Sequence, residues 1–255
     1  MSLFLSMIPI YKHCFFVFFV FNCGFALTPK ANITIPLKTN TEVLRLNLLY
    51  GETHNNVYGL NLGLFNFIRN DLIGVQIGIV NETENAAGLQ IGLLNNSDPT
   101  YGVLKVGFLN TNFFLDRGMP RPNPFYEDQE IKNQNVKGLA ISIGAANVMS
   151  GRFNLGLFNW AEGFNIGLIN MNEGSSFNLG IVNIGTSLEV SPKEKRTISL
   201  GIFNSGSDKE EFQIGIINYC PNNTIPIMLV ANYCSSSSIQ PKSEQNTSVK
   251  TNLEK

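Results

Sequence analysis

Short apolar and polar steps alternate along this chain with a period of two, punctuated by glycine and asparagine. "GLNLGLFN" (59–66) is followed by "GVQIGIVN" (74–81), "GLQIGLLN" (88–95), "FNLGLFN" (153–159), "FNIGLIN" (164–170) and "FQIGIIN" (212–218). Aligned on the closing asparagine, the motif occurs ten times, ending at Asn66, Asn81, Asn95, Asn110, Asn147, Asn159, Asn170, Asn183, Asn204 and Asn218. Three residues before each lies Gly63, Gly78, Gly92, Gly107, Gly144, Gly156, Gly167, Gly180, Gly201 or Gly215. Five before is always polar: Asn61, Gln76, Gln90, Lys105, Ser142, Asn154, Asn165, Asn178, Ser199 and Gln213. Four and six before are always apolar.

A period of two predicts that each copy is a short strand with one buried face, and an all-β fold. Ile, Leu, Val and Phe suit a pleated, packed surface. A helix is a poor fit, because glycine and asparagine recur inside every segment. Glycine inside a strand costs roughly 0.5–1 kcal/mol against alanine. Repeated in every copy, that cost rivals the stability of an ordinary domain. A second backbone, or a large side chain such as the neighbouring Phe, is therefore expected directly over each glycine. The asparagines, recurring at the same point of successive turns, are expected to form a hydrogen-bonded ladder.

Successive asparagines are 15, 14, 15, 37, 12, 11, 13, 21 and 14 residues apart, so the unit is one strand plus one connection. Two insertions, 111–137 and 184–197, are rich in Pro, Asn and charge and read as exposed loops. The expected organisation is a repeat array over 59–220, an N-terminal strand or cap at 27–58, a C-terminal cap at 221–234, and a polar disordered tail at 235–255. Two architectures fit the unit. A β-solenoid would stack the copies in parallel, and an antiparallel meander or outer-membrane β-barrel would reverse direction at each connection. Identical Gly and Asn gain more where like meets like, and the strands look short for a membrane barrel. Both points favour the solenoid.

The first residues change the picture from fold to location. Lys12 precedes an apolar run from Phe15 to Phe21, then small residues Gly24 and Ala26, the layout of a signal peptide spanning 1–26. Cleavage after Ala26 is the first expectation. Cleavage before Cys23, with that thiol lipidated, is the second, because Val20-Phe21-Asn22-Cys23 loosely matches a lipobox. The mature chain is thus expected to be exported. "NYC" recurs at 218–220 and 232–234. In a parallel stack Cys220 and Cys234 would lie one strand spacing apart, within disulfide reach, whereas in an antiparallel pair they would fall at opposite ends.

The array, its opening "VLRLNLLYGETHNNVYGLNLGLFN" (43–66) and its closing "FQIGIINYCPNNTIPIMLVANY" (212–233) resemble the leptospiral surface repeat-containing proteins, which carry tandem "GLQ(I/L)G(L/I)xN" units. The resemblance implies a surface or outer-membrane location and no established enzymatic activity. It carries over no catalytic or ligand residues. The chain departs from the family pattern at "GAAN" (144–147), where alanine replaces the bulky pair, and at the 111–137 insertion.

Candidate chemistry is sparse. The formal net charge is −1 with 15% charged residues, which argues against electrostatic capture of nucleic acid. Beyond the signal region the one histidine is His54, in a turn-like "GETHNN", and it reads as a solvated loop residue rather than a catalytic base. No metal-ligand spacing or P-loop is present, so neither metal nor cofactor is expected. Glu127, Asp128 and Glu130 read as a solvated acidic loop rather than a calcium site. Phe113, Phe114, Phe125 and Tyr126, beside Arg117 and Arg121, form the candidate contact patch, because aromatic and Arg side chains dominate interface hot spots. The reading is a non-enzymatic exported repeat protein that serves interaction, adhesion or envelope structure. Its expected partners are host or envelope components, or its own kind. An outer-membrane barrel forming a pore is the alternative.

Overall fold

A computed structural model describes residues 22–28, 30–112, 138–172, 174–186, 196–207 and 210–235. The strands are β1 (Cys23–Thr28), β2 (Ala31–Ile35), β3 (Thr41–Thr53), β4 (Asn56–Ile77), β5 (Val80–Thr111), β6 (Ile141–Val148), β7 (Phe153–Trp160), β8 (Gly163–Asn172), β9 (Ser176–Gly185), β10 (Arg196–Ser205), β11 (Glu210–Tyr219) and β12 (Ile227–Cys234). They form one sheet in the order β12-β11-β10-β9-β8-β7-β6-β5-β4-β3-β1-β2. From β3 to β11 every pairing is parallel. The chain winds as a β-solenoid, each motif copy lying on the one before it. The sheet ends in two separate edge strands, β2 and β12, and does not close. The antiparallel meander and the outer-membrane barrel are both corrected by this topology.

Register matches the motif position by position. Gly107 faces Gly144, Asn110 faces Asn147, Gly167 faces Gly180 and Asn204 faces Asn218. The asparagine amides then join along the stack. Asn47 Nδ2 donates to Asn66 Oδ1 at 2.8 Å, Asn66 to Asn81 at 2.9 Å, and Asn81 to Asn95 at 2.9 Å. The series continues through Asn110, Asn147, Asn159, Asn170, Asn183 and Asn204 to Asn218, with every link between 2.7 and 3.0 Å. The second N–H of many of these amides donates to a main-chain carbonyl of the next coil, as Asn147 does to Leu155 O at 3.1 Å. Asn66 and Asn218 also donate to the carbonyls of Gly63 and Gly215, three residues back, and so brace the bend between glycine and asparagine.

That bracing explains the glycines. A Cβ on Gly156 would lie 2.4 Å from the carbonyl oxygen of Gly144 and 2.7 Å from the Asn147 amide nitrogen. A second backbone does cover the position. The side chain beside it is the asparagine of the previous coil, and the expected Phe is not among the nearest atoms. A second glycine column also exists: Gly88 has φ of 124°, and a Cβ there would lie 2.1 Å from Gly74 O.

The buried face of each strand is the polar one. The residue five before each asparagine, polar in every copy, is 0% exposed in all ten, and so is each motif asparagine. The apolar residues four and six before it lie on the outer surface. Narrowness is the physical reason. Thr83 Oγ1 donates to Gln76 Oε1 at 2.8 Å and Ser97 Oγ to Gln90 Oε1 at 2.9 Å, so opposite walls touch through one layer of short side chains. No second layer of aliphatics fits between them. Among the described residues, small apolar clusters survive inside at Val57, Ile68 and Leu72, and at Ala86, Val103 and Ala140.

Both ends are finished by reversed strands: β2 runs antiparallel to β1, and β12 antiparallel to β11. Cys220 and Cys234 form a disulfide, with Cα atoms 5.2 Å apart, although β11 and β12 are antiparallel. The expectation that antiparallel strands would hold them apart is corrected. β11 curls around the coil, so Cys220 Sγ returns to 3.6 Å from Gln213 Oε1. That brings it beside Cys234, which pairs with Glu211 at the other end of β11.

Replacing Asn147 by Ala in mid-stack would strand the Asn110 amide and the Asn159 oxygen. The expected loss is about 2–6 kcal/mol in denaturant unfolding, since each of the two orphaned buried partners costs about 1–3 kcal/mol. A loss below 1 kcal/mol would show that the ladder is not a principal support.

Candidate functional site

With the polar groups turned inward, the outer wall becomes the feature that can meet another molecule. In each copy the residues two, four and six before the asparagine alternate with the inward polar residue and the glycine, and so project from one face. Burial along β7 shows it: Phe153, Leu155 and Leu157 point outward while Asn154 and Asn159 are buried. The same three columns recur in every coil, and none of their side chains carries a polar atom. Phe108 is 66% exposed, Leu157 59% and Ile216 62%. Within the six-before column, Phe153 stacks on Phe164 at 5.1 Å and Phe164 on Phe177 at 4.8 Å, so the wall is flat and ordered. The residue just before each asparagine continues the apolar surface around the bend, as with Phe65 and Ile169. At the C-terminal end Ile214, Ile216, Leu229 and Val230 line a shallow apolar trough of about 520 Å³.

The opposite wall is charged. Arg69 donates to Glu52 at 2.8 Å and to Glu82 at 3.1 Å, and Asn85 donates to Asp71 at 2.9 Å. Arg196, at the start of β10 two residues before the outward Ile198, lies 3.5 Å from Glu210. The Arg69 guanidinium holds the Glu52 carboxyl below the usual carboxylate range. Residues 113–137 and 187–195, which hold most of the two insertions read as exposed loops, lie outside the described residues.

Two basic side chains stand fully buried inside the coil. Arg45, fully buried, donates to both oxygens of Glu42 at 2.9 and 2.8 Å, to Glu52 O at 2.9 Å, and to Asn47 Oδ1 at 3.0 Å. It thereby caps the carbonyl end of the asparagine ladder. Lys105 occupies the inward polar position that Gln76 and Gln90 fill in the coils before it. Its Nζ donates to Ser97 O at 2.8 Å and Thr111 O at 2.7 Å. Burial lowers its pKa to about 7, and the charge of Asp98 opposes that fall.

The other sequence candidates fall as follows. His54 is exposed in a bend, and its carbonyl accepts from the Asn70 amide. Cys23 is 4% exposed at the start of β1, and burial, with Glu42 nearby, raises its thiol pKa. The expected cut after Ala26 would fall inside β1, which pairs with both β2 and β3. Phe113, Phe114, Arg117, Arg121, Phe125 and Tyr126 lie outside the described residues, as do Glu127, Asp128 and Glu130. Among the described residues no group of His, Cys, Asp and Glu could hold a metal ion, and no helix is long and apolar enough to cross a membrane. The apolar wall itself was missed by sequence reading. Its signal was the total absence of polar side chains from those columns, beside an inward position that is polar in every copy.

Lys105→Gln would extend the run of Gln76 and Gln90. A lysine held at about 7 when folded, against roughly 10.4 when unfolded, binds fewer protons in the native state between those values. Stability of the parent should therefore rise with pH across that window. The variant should be the more stable at pH 6, with its advantage shrinking toward pH 10, as read by denaturant midpoints. A constant advantage would place the ammonium in water. No family model, curated protein or solved structure matches this chain.

Proposed function

We propose that this chain is a non-enzymatic, exported surface repeat protein of the leptospiral kind it resembles, acting as an interaction module of the cell envelope. The observation that carries this reading is the apolar wall, which extends over all ten repeats on a single strand face. Contiguous exposed apolar surface larger than a few hundred Å² marks interaction sites in soluble proteins. The rigid polar interior holds that wall flat, and the charged wall stays in water. Export is supported by the basic and apolar opening of the sequence and by the cross-link between Cys220 and Cys234, which suits an oxidising compartment. Partners on this reading are envelope or host components with apolar surfaces, and neither cofactor nor metal is involved.

The test places lysine at Leu157, Ile181 and Ile202, all outward positions of one column. Unfolding midpoints should change little, because the ladder and glycines are untouched, while the fraction of protein retained on intact cells should fall at least tenfold. Unchanged retention by a folded triple variant would remove the wall as the working surface.

A further inference from the structure

We propose that the occupant of the apolar wall is a second copy of the same chain, packed face to face with the two stacks running in opposite directions. This rests on the interaction reading above and names its partner. Rungs repeat at about 4.8 Å and residues within a strand at about 3.3 Å. Ten rungs and three outward columns then give a wall roughly 45 Å tall and 15–20 Å wide, on the order of 800 Å². That is what one partner contributes to a stable interface, about 800 Å².

The period of the wall points to a copy rather than to lipid. Aliphatic and aromatic knobs spaced by one strand separation interdigitate with a surface of the same spacing, as in dry sheet-to-sheet interfaces. A bilayer has no such repeat. Surfaces that lie on anionic lipid are also rich in Lys and Arg beside the apolar face. Here Arg69 on the charged wall and Arg196 beside the apolar face are both engaged by glutamates.

One irregularity sets the direction. Among the thirty outward positions two, four and six before an asparagine, Ala145 is the single small residue. It belongs to the fifth of the ten rungs, and the sixth presents Leu157 in the same column, 59% exposed. A two-fold axis along the strand direction, between rungs five and six, seats Leu157 of each copy over Ala145 of the other. The contact is made twice and is self-complementary, as an isologous dimer requires. A two-fold axis along the stack would instead set Ile143 of one copy against Ile143 of the other.

The test uses the exported chain as purified. Sedimentation velocity at micromolar concentration should show a dimer, and Ala145→Phe, which fills the notch, should weaken it at least tenfold without lowering the unfolding midpoint. Under oxidised glutathione, an equimolar mixture of the single variants Ala145→Cys and Leu157→Cys should form a covalent dimer above the parent background, while either single variant alone should not. A double variant is avoided because residues 145 and 157 of one chain lie on adjacent rungs, within disulfide reach of each other. A strictly monomeric parent, or covalent dimers from Ile143→Cys alone, would overturn the proposal. So would a parent that is monomeric yet floats with phosphatidylcholine vesicles. A monomeric parent whose lysine triple variant still loses cell retention would sink the dimer and leave the interaction reading standing.

Discussion

A single interaction organises this molecule: the hand-over of one amide hydrogen from each asparagine to the next along the axis of the coil. Its donors all point toward the C-terminal end, from Asn47 to Asn218. Amides aligned in this way polarise one another in a low-dielectric interior, so the run is worth more than separate bonds. It also needs terminating at both ends. The Arg45 guanidinium meets the oxygen at the start, and the carbonyls of Gly215 and Met228 accept from Asn218 at the finish. The logic resembles that of a helix dipole met by charge, built from side chains instead of backbone.

Everything else follows from keeping that line of amides straight. Glycine is required because the previous carbonyl and the previous amide occupy the space of a Cβ. A coil this narrow admits one layer of short polar groups, and the aliphatics are displaced to the outside. The usual order of a folded chain, apolar within and polar without, is reversed on one wall and kept on the other. The hydrophobic effect then contributes little to closing the coil and is left over for association. Polar satisfaction inside is nearly complete among the described residues, with orphaned atoms at Asn61, Asn96 and Asn172.

Much of the fold was legible. The ten-fold recurrence of Gly and Asn at matched spacing implied like over like, and the parallel register confirms it in residue pairs such as Gly144 with Gly156. Which face turns inward was not legible, because period two reports alternation and says nothing of coil width. The glycine seven before Asn66, Asn81 and Asn95 was in plain view, yet the need for it depends on the approach of the Val43, Gly59 and Gly74 carbonyls that only the stack creates. Lys105 read as one more polar residue, and its burial without a carboxylate bonded to it could not be seen from spacing. The cross-link at the end defeated a flat-strand argument, since β11 curls back on itself.

In a one-dimensional stack each coil leans only on its neighbours, so disassembly has to begin at a terminus. The Cys220–Cys234 cross-link staples one terminus shut. Unravelling is therefore vectorial: under heat, tension or protease attack the array should peel from β1 and β2 inward, and the last coils to let go should be β10 and β11.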